Sequence, residues 1–180
     1  MKKFLLLILC VLTLVSCDKK KNEELNVEQI TEANKQDMAS KHDTFTWYET
    51  CIRLKDFMDE ECDGTIENIS NIFQVVEDID SISSNVFVIV YSTDIEGTII
   101  DVEEGFWVED FSIDSVKVSF KEAFELINKV NYPKPHSRYV TLRKQIGPKP
   151  CNAQWIFGNV KYQLYVDAVT GDVTDENPAF

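Results

Sequence analysis

The chain has 180 residues, 31 acidic against 18 basic, and a formal net charge of −13. Such acidity favours solubility and argues against nucleic acid and against adsorption to anionic lipid headgroups. The length suits one domain, or two small ones fused through a shared sheet, burying about 70% of the unfolded chain's surface.

Met1-Lys2-Lys3 opens on an apolar run from Phe4 to Val15, broken only by Thr13. That run is too short for a membrane-spanning helix, which needs about 20 residues. Two lysines, a short apolar core and a small residue before the cut describe a secretory signal peptide over 1–16. Its end, Leu14-Val15-Ser16-Cys17, resembles the bacterial lipobox, whose cysteine is lipidated and becomes the first mature residue. Cys17 is therefore the expected lipidation site and the route to the membrane, since several acyl chains anchor stably where one does not. Losing Lys2 and Lys3 leaves a charge of −15. The expected location is the bacterial cell envelope, facing the periplasm or the exterior. The outer membrane is favoured, although Asp18 after Cys17 resembles an inner-membrane retention signal of some diderm bacteria.

Residues 17–43 are polar, contain no aromatic residue and read as the lipidated cysteine followed by a tether. Leu25, Ile30, Ala33 and Met38 give part of it a weak helical spacing. A first α+β unit is expected over 44–116. Thr46 and Glu49 match a capping box, and Trp47, Cys51, Leu54 and Met58 recur at helical spacing, which predicts a helix over 46–61. Strands are expected at 72–76, 85–92 and 97–102, with 105–108 continuing or starting another. A second unit, 117–180, opens with the capping box Ser119/Glu122 and a helix ended by Asn131-Tyr132-Pro133. Strands follow at 138–144, 153–157 and 161–168, then a turn at Thr170-Gly171. The expected fold class is α+β: two tandem helix-then-antiparallel-strand units, helices packed on one face of the sheet.

Beyond Cys10 and Cys17, the chain keeps Cys51, Cys62 and Cys151. On a continuous helix Cys51 and Cys62 would lie about 16 Å apart, beyond disulfide reach. Cys151 is then the better partner for either, with buried thiols as the alternative.

Ser119-Phe120-Lys121-Glu122-Ala123 and Tyr165-Val166-Asp167-Ala168-Val169-Thr170-Gly171-Asp172-Val173 resemble the opening and closing motifs of the PepSY domain. The resemblance covers about a third of the precursor. It implies a binding or inhibitory module, proposed for such domains to restrain peptidases, and carries over no catalytic residue.

The sequence supplies no convergent catalytic constellation and calls for no cofactor or metal. His42 falls in the tether and His136 in a proline-rich loop, without metal-ligand spacing. Glu103-Glu104 and Glu109-Asp110 read as solvated carboxylates rather than a calcium loop. Charge is unevenly spread: 17 acidic and no basic residues lie between Asp56 and Val116, while 117–161 carries +7. Partial neutralisation between the two segments is the first reading; docking of an oppositely charged partner is the second, with self-association not favoured. Phe106 and Trp107 would face opposite sides of a strand, exposing one aromatic beside Glu109 and Asp110. Together with His136, Arg138, Arg143 and Lys144 they form the candidate partner-binding set. The expectation is a non-enzymatic, lipid-anchored module that binds another envelope protein or peptide, such as a peptidase. The alternative is an accessory or structural subunit of an envelope assembly, docked through its acidic face.

Overall fold

The computed structural model describes residues 26–58, 61–78, 84–106 and 112–180. Its elements are α1 (Val27–Lys41), β1 (Phe45–Leu54), β2 (Ile66–Asp78), β3 (Ser84–Asp94), β4 (Ile99–Phe106), α2 (Phe120–Lys129), β5 (Tyr139–Lys144), β6 (Ala153–Asn159), β7 (Tyr162–Asp167) and β8 (Val173–Thr174). All strands belong to one antiparallel sheet ordered β4-β3-β2-β1-β5-β6-β7-β8. The expected α+β arrangement of two tandem units is corrected by this sheet. β1 pairs with β2 on one side and β5 on the other, so the ladder runs unbroken across the boundary drawn at 116/117. The segment 1–16, Cys17 and residues 18–25 lie outside the described residues.

The predicted helix over 46–61 is wrong. Residues 45–54 form a central strand, in which Thr50, Ile52 and Leu54 are buried at a period of two. β-Branched and aromatic residues suit that setting, and pairing on both edges outweighs a four-residue stripe that also fits a helix. Asp63-Gly64, a pair that would end such a helix, instead turns the chain between two strands: Asp63 Oδ1 accepts from Thr65 N at 2.8 Å and Gly64 sits at φ +77°.

The tether reading fails for residues 27–41. Asn26 caps α1 in a reciprocal box with Gln29, and Val27, Ile30 and Met38 are buried. The buried side of α1 also carries Thr31 and Asn34, which is why its apolar stripe is faint in the sequence. Both find partners in the sheet: Thr31 donates to Asn71 Oδ1 at 3.0 Å and Asn34 Nδ2 to Thr93 Oγ1 at 3.0 Å. Buried polar groups are tolerated when paired in this way.

α2 lies where its capping box predicts. Ser119 Oγ accepts from Glu122 N, and Phe120, Ala123 and Ile127 are buried. The Phe120 ring meets Trp155 and Phe157 of β6 at 5.9 and 6.5 Å. Residues of both helices share one core with Ile52, Ile69, Leu142, Trp155 and Leu164. The opposite face of the sheet carries Glu49, Cys51, Arg53, Thr141 and Arg143, read from the register of β1 against β5.

No disulfide forms at Cys151. Cys151 and Cys51 are free thiols, and Cys62 packs against the main core. Cys51 sits mid-strand, its Sγ 2.9 Å from Glu49 Oε1, while Cys151 Sγ reaches Gln145 O at 3.9 Å in the loop before β6.

Candidate functional site

The sheet ends differently at its two edges. At one edge β8 has only two residues, and the chain after it returns to the 147–149 loop: Lys149 N donates to Ala179 O at 3.1 Å and Lys149 Nζ to Phe180 O. The other edge is β4, eight residues long and paired only with β3 among the described residues. Asp94 builds the turn that launches it. Its carboxylate accepts from Glu96 N and Thr98 N at 3.0 and 2.7 Å, and Gly97 supplies φ +84°. Along β4, Ile99, Ile100 and Val102 are 40, 59 and 48% exposed. Asp101, Glu103 and Glu104 lie on the same strand, all exposed. None of the ion pairs among the described residues involves these three carboxylates.

The basic set behaves oppositely. Arg138 donates Nε to Leu54 O at 3.0 Å and Nη2 to Glu67 Oε2 at 2.9 Å. Arg53 Nε lies 2.9 Å from the same oxygen without the alignment of a hydrogen bond. Arg143 stands 3.9 Å from Glu49, and Lys144 pairs with Asp114. The Lys144 ammonium, then the Ser112 hydroxyl, hold the Asp114 carboxyl below its usual range. Arg138, Arg143 and Lys144 are thus engaged by carboxylates of the acidic segment or of β1, as the neutralisation reading expects. His136 is exposed and stacks on Phe57 with ring centroids 4.5 Å apart and planes 5° apart. The Arg138 guanidinium lies 5.9 Å from the other member of that stack, Phe57, itself 47% exposed. The sequence reading did not single out Phe57, which falls within the predicted 46–61 helix but not among the residues of its stripe.

A cleft of about 260 Å³ opens between α1 and the segment 113–116, floored by Trp47, Thr50, Leu142 and Trp155. Lys35 Nζ stands 3.7 Å from the Trp47 ring centroid. Burial pushes its ammonium pKa down, and Glu32 opposes that shift. Trp47 Nε1 donates to Thr50 Oγ1 at 3.1 Å, and Thr50 donates to Asn71 Oδ1 at 2.6 Å. The Lys35 cation therefore already occupies the indole face within this cleft.

The structure brings the candidate residues to separate places. Phe106 closes β4 opposite Phe87; His136 and Arg138 gather at Phe57; Arg143 and Lys144 lie along β5. Trp107, Glu109 and Asp110 lie outside the described residues. His42 is held 3.4 Å from Glu77. Among the described residues no group of three His, Cys, Asp or Glu is arranged to hold a metal ion, and no helix is long and apolar enough to cross a membrane. The segment Asp167-Ala168-Val169-Thr170-Gly171 works as a turn: Asp167 Oδ1 accepts from Val169 N and Thr170 N at 2.8 and 2.9 Å, and Gly171 adopts φ +81°. Burial raises the Asp167 pKa, but those N–H groups and the amides of Asn152 and Gln154 outweigh it and hold the carboxyl below its usual range.

Comparison with protein-family models, with curated proteins and with solved structures found no match.

Proposed function

We propose that this chain is a lipid-anchored cell-envelope module that binds another protein or peptide and performs no chemistry of its own. The observation that supports this reading is the β4 edge of the sheet: an eight-residue strand with exposed aliphatic side chains and three carboxylates outside every ion pair among the described residues. Exposed apolar groups interleaved with charge characterise a surface that meets a macromolecule. The PepSY likeness suggests a peptidase or its peptide as the occupant. The same acidic edge also supports the second reading, an accessory subunit of an envelope assembly. Lipid on Cys17 would hold either at the membrane surface.

Site-specific photo-crosslinking of the intact chain in its own envelope tests the proposal. Crosslinkers at Val102 on the edge and at Tyr139 on β5 are expected to give a discrete adduct from at least one position. A peptidase in that adduct supports the restraining role, and an assembly component supports the accessory role. Absence of any discrete adduct from both positions would refute the binding reading.

A further inference from the structure

The free edge specifies the chemistry of what pairs with it. An edge strand directs every second N–H and C=O away from the sheet, so eight residues of β4 leave roughly four residues' worth of backbone groups open along about 26 Å. Natural sheets shield such edges, and this molecule does so at the far side, where β8 is two residues long and the chain after it is bonded into the 147–149 loop. At β4, among the described residues, the shielding is negative charge along the strand and a register shift at Ile100 near its start. Asp101 and Glu103 lie on the sheet face opposite the helices, across from Ser92 and Val90, while Val102 and Glu104 lie on the helix side, across from Tyr91 and Ile89. Like charges directly opposite each other on neighbouring strands are destabilising. A second copy pairing through β4 would bring two sets of three carboxylates together, in a chain that already carries −13. The edge is therefore closed to itself and to acidic strands.

It is open to the complement. A strand placed antiparallel to β4 with lysine or arginine opposite Asp101 and Glu103, and an aliphatic residue opposite Val102, would satisfy the backbone, the charge and the exposed aliphatic side chain together. We infer that β4 is a strand-addition site for an extended cationic segment of a partner protein, one that alternates Lys or Arg with aliphatic residues. The inference rests on the binding-module reading and deepens it by naming the occupant. Pairing adds a strand to the sheet beyond β4, and the charge pattern sets which strands are accepted.

The test is fluorescence anisotropy of a short labelled peptide alternating lysine and valine, titrated with the intact chain in detergent. Three peptides are compared: the Lys/Val peptide, its Glu/Val counterpart, and the Lys/Val peptide N-methylated along its backbone. Binding of the first alone is expected, at least about tenfold tighter than either control. It should weaken when NaCl rises from about 0.1 M to about 1 M, where the Debye length falls from about 10 Å to about 3 Å. In a chain carrying Asp101→Lys and Glu103→Lys, preference should pass to the Glu/Val peptide. If that variant fails to fold by circular dichroism, the peptide comparison on the wild-type chain still decides. Equal binding of the N-methylated peptide, or no binding of the Lys/Val peptide, overturns strand addition. A Tyr139 adduct persisting in the envelope alongside such a failure would leave the binding-module reading standing, whereas loss of both adducts would remove it.

Discussion

Replacing Ile30 by Ala tests whether residues before Thr44 belong to the fold. Ile30 is fully buried in the main core, on a helix that the polar composition of its surroundings had assigned to a tether. Truncation removes most of the transfer free energy of a buried aliphatic side chain, about 2 kcal/mol. A residual cavity between α1 and the sheet adds to it, since buried Ile-to-Ala changes cost about 2–5 kcal/mol. A loss of about 3 kcal/mol is expected, which corresponds to roughly 10 °C in Tm for a domain of this size. Urea unfolding should show the midpoint falling by about 1.5 M with an unchanged slope near 2 kcal/mol per M. Ala33→Ser on the exposed side of the same helix is the control and should stay within about 0.5 kcal/mol. If Ile30→Ala unfolds like the wild type, α1 is not docked and the tether reading returns.

Other expectations follow from individual contacts. Gly158 sits at φ +128° and a Cβ there would run into Tyr162 O, so Gly158→Ala should cost on the order of 2 kcal/mol or more in urea melts; a neutral result would mean the β6–β7 turn is free to rearrange. Burial, then the neighbouring Glu49, pushes the Cys51 thiol pKa up to about 12. Timed alkylation at about pH 8 with mass mapping should therefore find Cys51 the slowest cysteine of the folded domain, and labelling at an ordinary thiol rate would contradict its placement. Asp167 has a folded-state pKa below its unfolded value, so its stabilisation is present above pH about 4 and lost as pH falls through the folded value. Asp167→Asn should flatten the stability–pH curve in that range; an unchanged acid limb would show that the turn does not depend on the carboxylate.

The legible parts of the sequence were those whose local signals matched their tertiary setting. Ser119 and Glu122 cap α2 as read, the β-branched run 85–92 lies inside β3, and Asp167-Ala168-Val169-Thr170-Gly171 folds into its turn. Residues 45–54 were misread because Thr46/Glu49 imitates a capping box and Trp47, Cys51, Leu54 imitate a stripe. The buried alternation Thr50, Ile52, Leu54 was present, but its first member is polar and Cys51, on the other face, completes the apparent helical stripe. α1 was undervalued because Thr31 and Asn34 sit on its buried side and only their partners Asn71 and Thr93, 40 and 59 residues away, make that side compatible with a core. The continuity of the sheet from β1 to β5 is a long-range pairing that no local pattern encodes. The acidic surplus was readable from composition. That three of its carboxylates, Asp101, Glu103 and Glu104, lie on the edge strand β4, and that Arg138, Arg143 and Lys144 are engaged by carboxylates, required the register of the strands.

Amide hydrogen exchange of the intact chain, with and without the Lys/Val peptide, tests the central claim most directly. In the free protein the outward amides of β4 should exchange fast while those of β1 and β5 are protected. Adding the peptide should slow exchange along residues 99–106 and leave the cleft at Trp47 and the Phe57–His136 stack unchanged. Protection appearing at either of those two places instead, or no change on β4 at saturating peptide, would contradict the account.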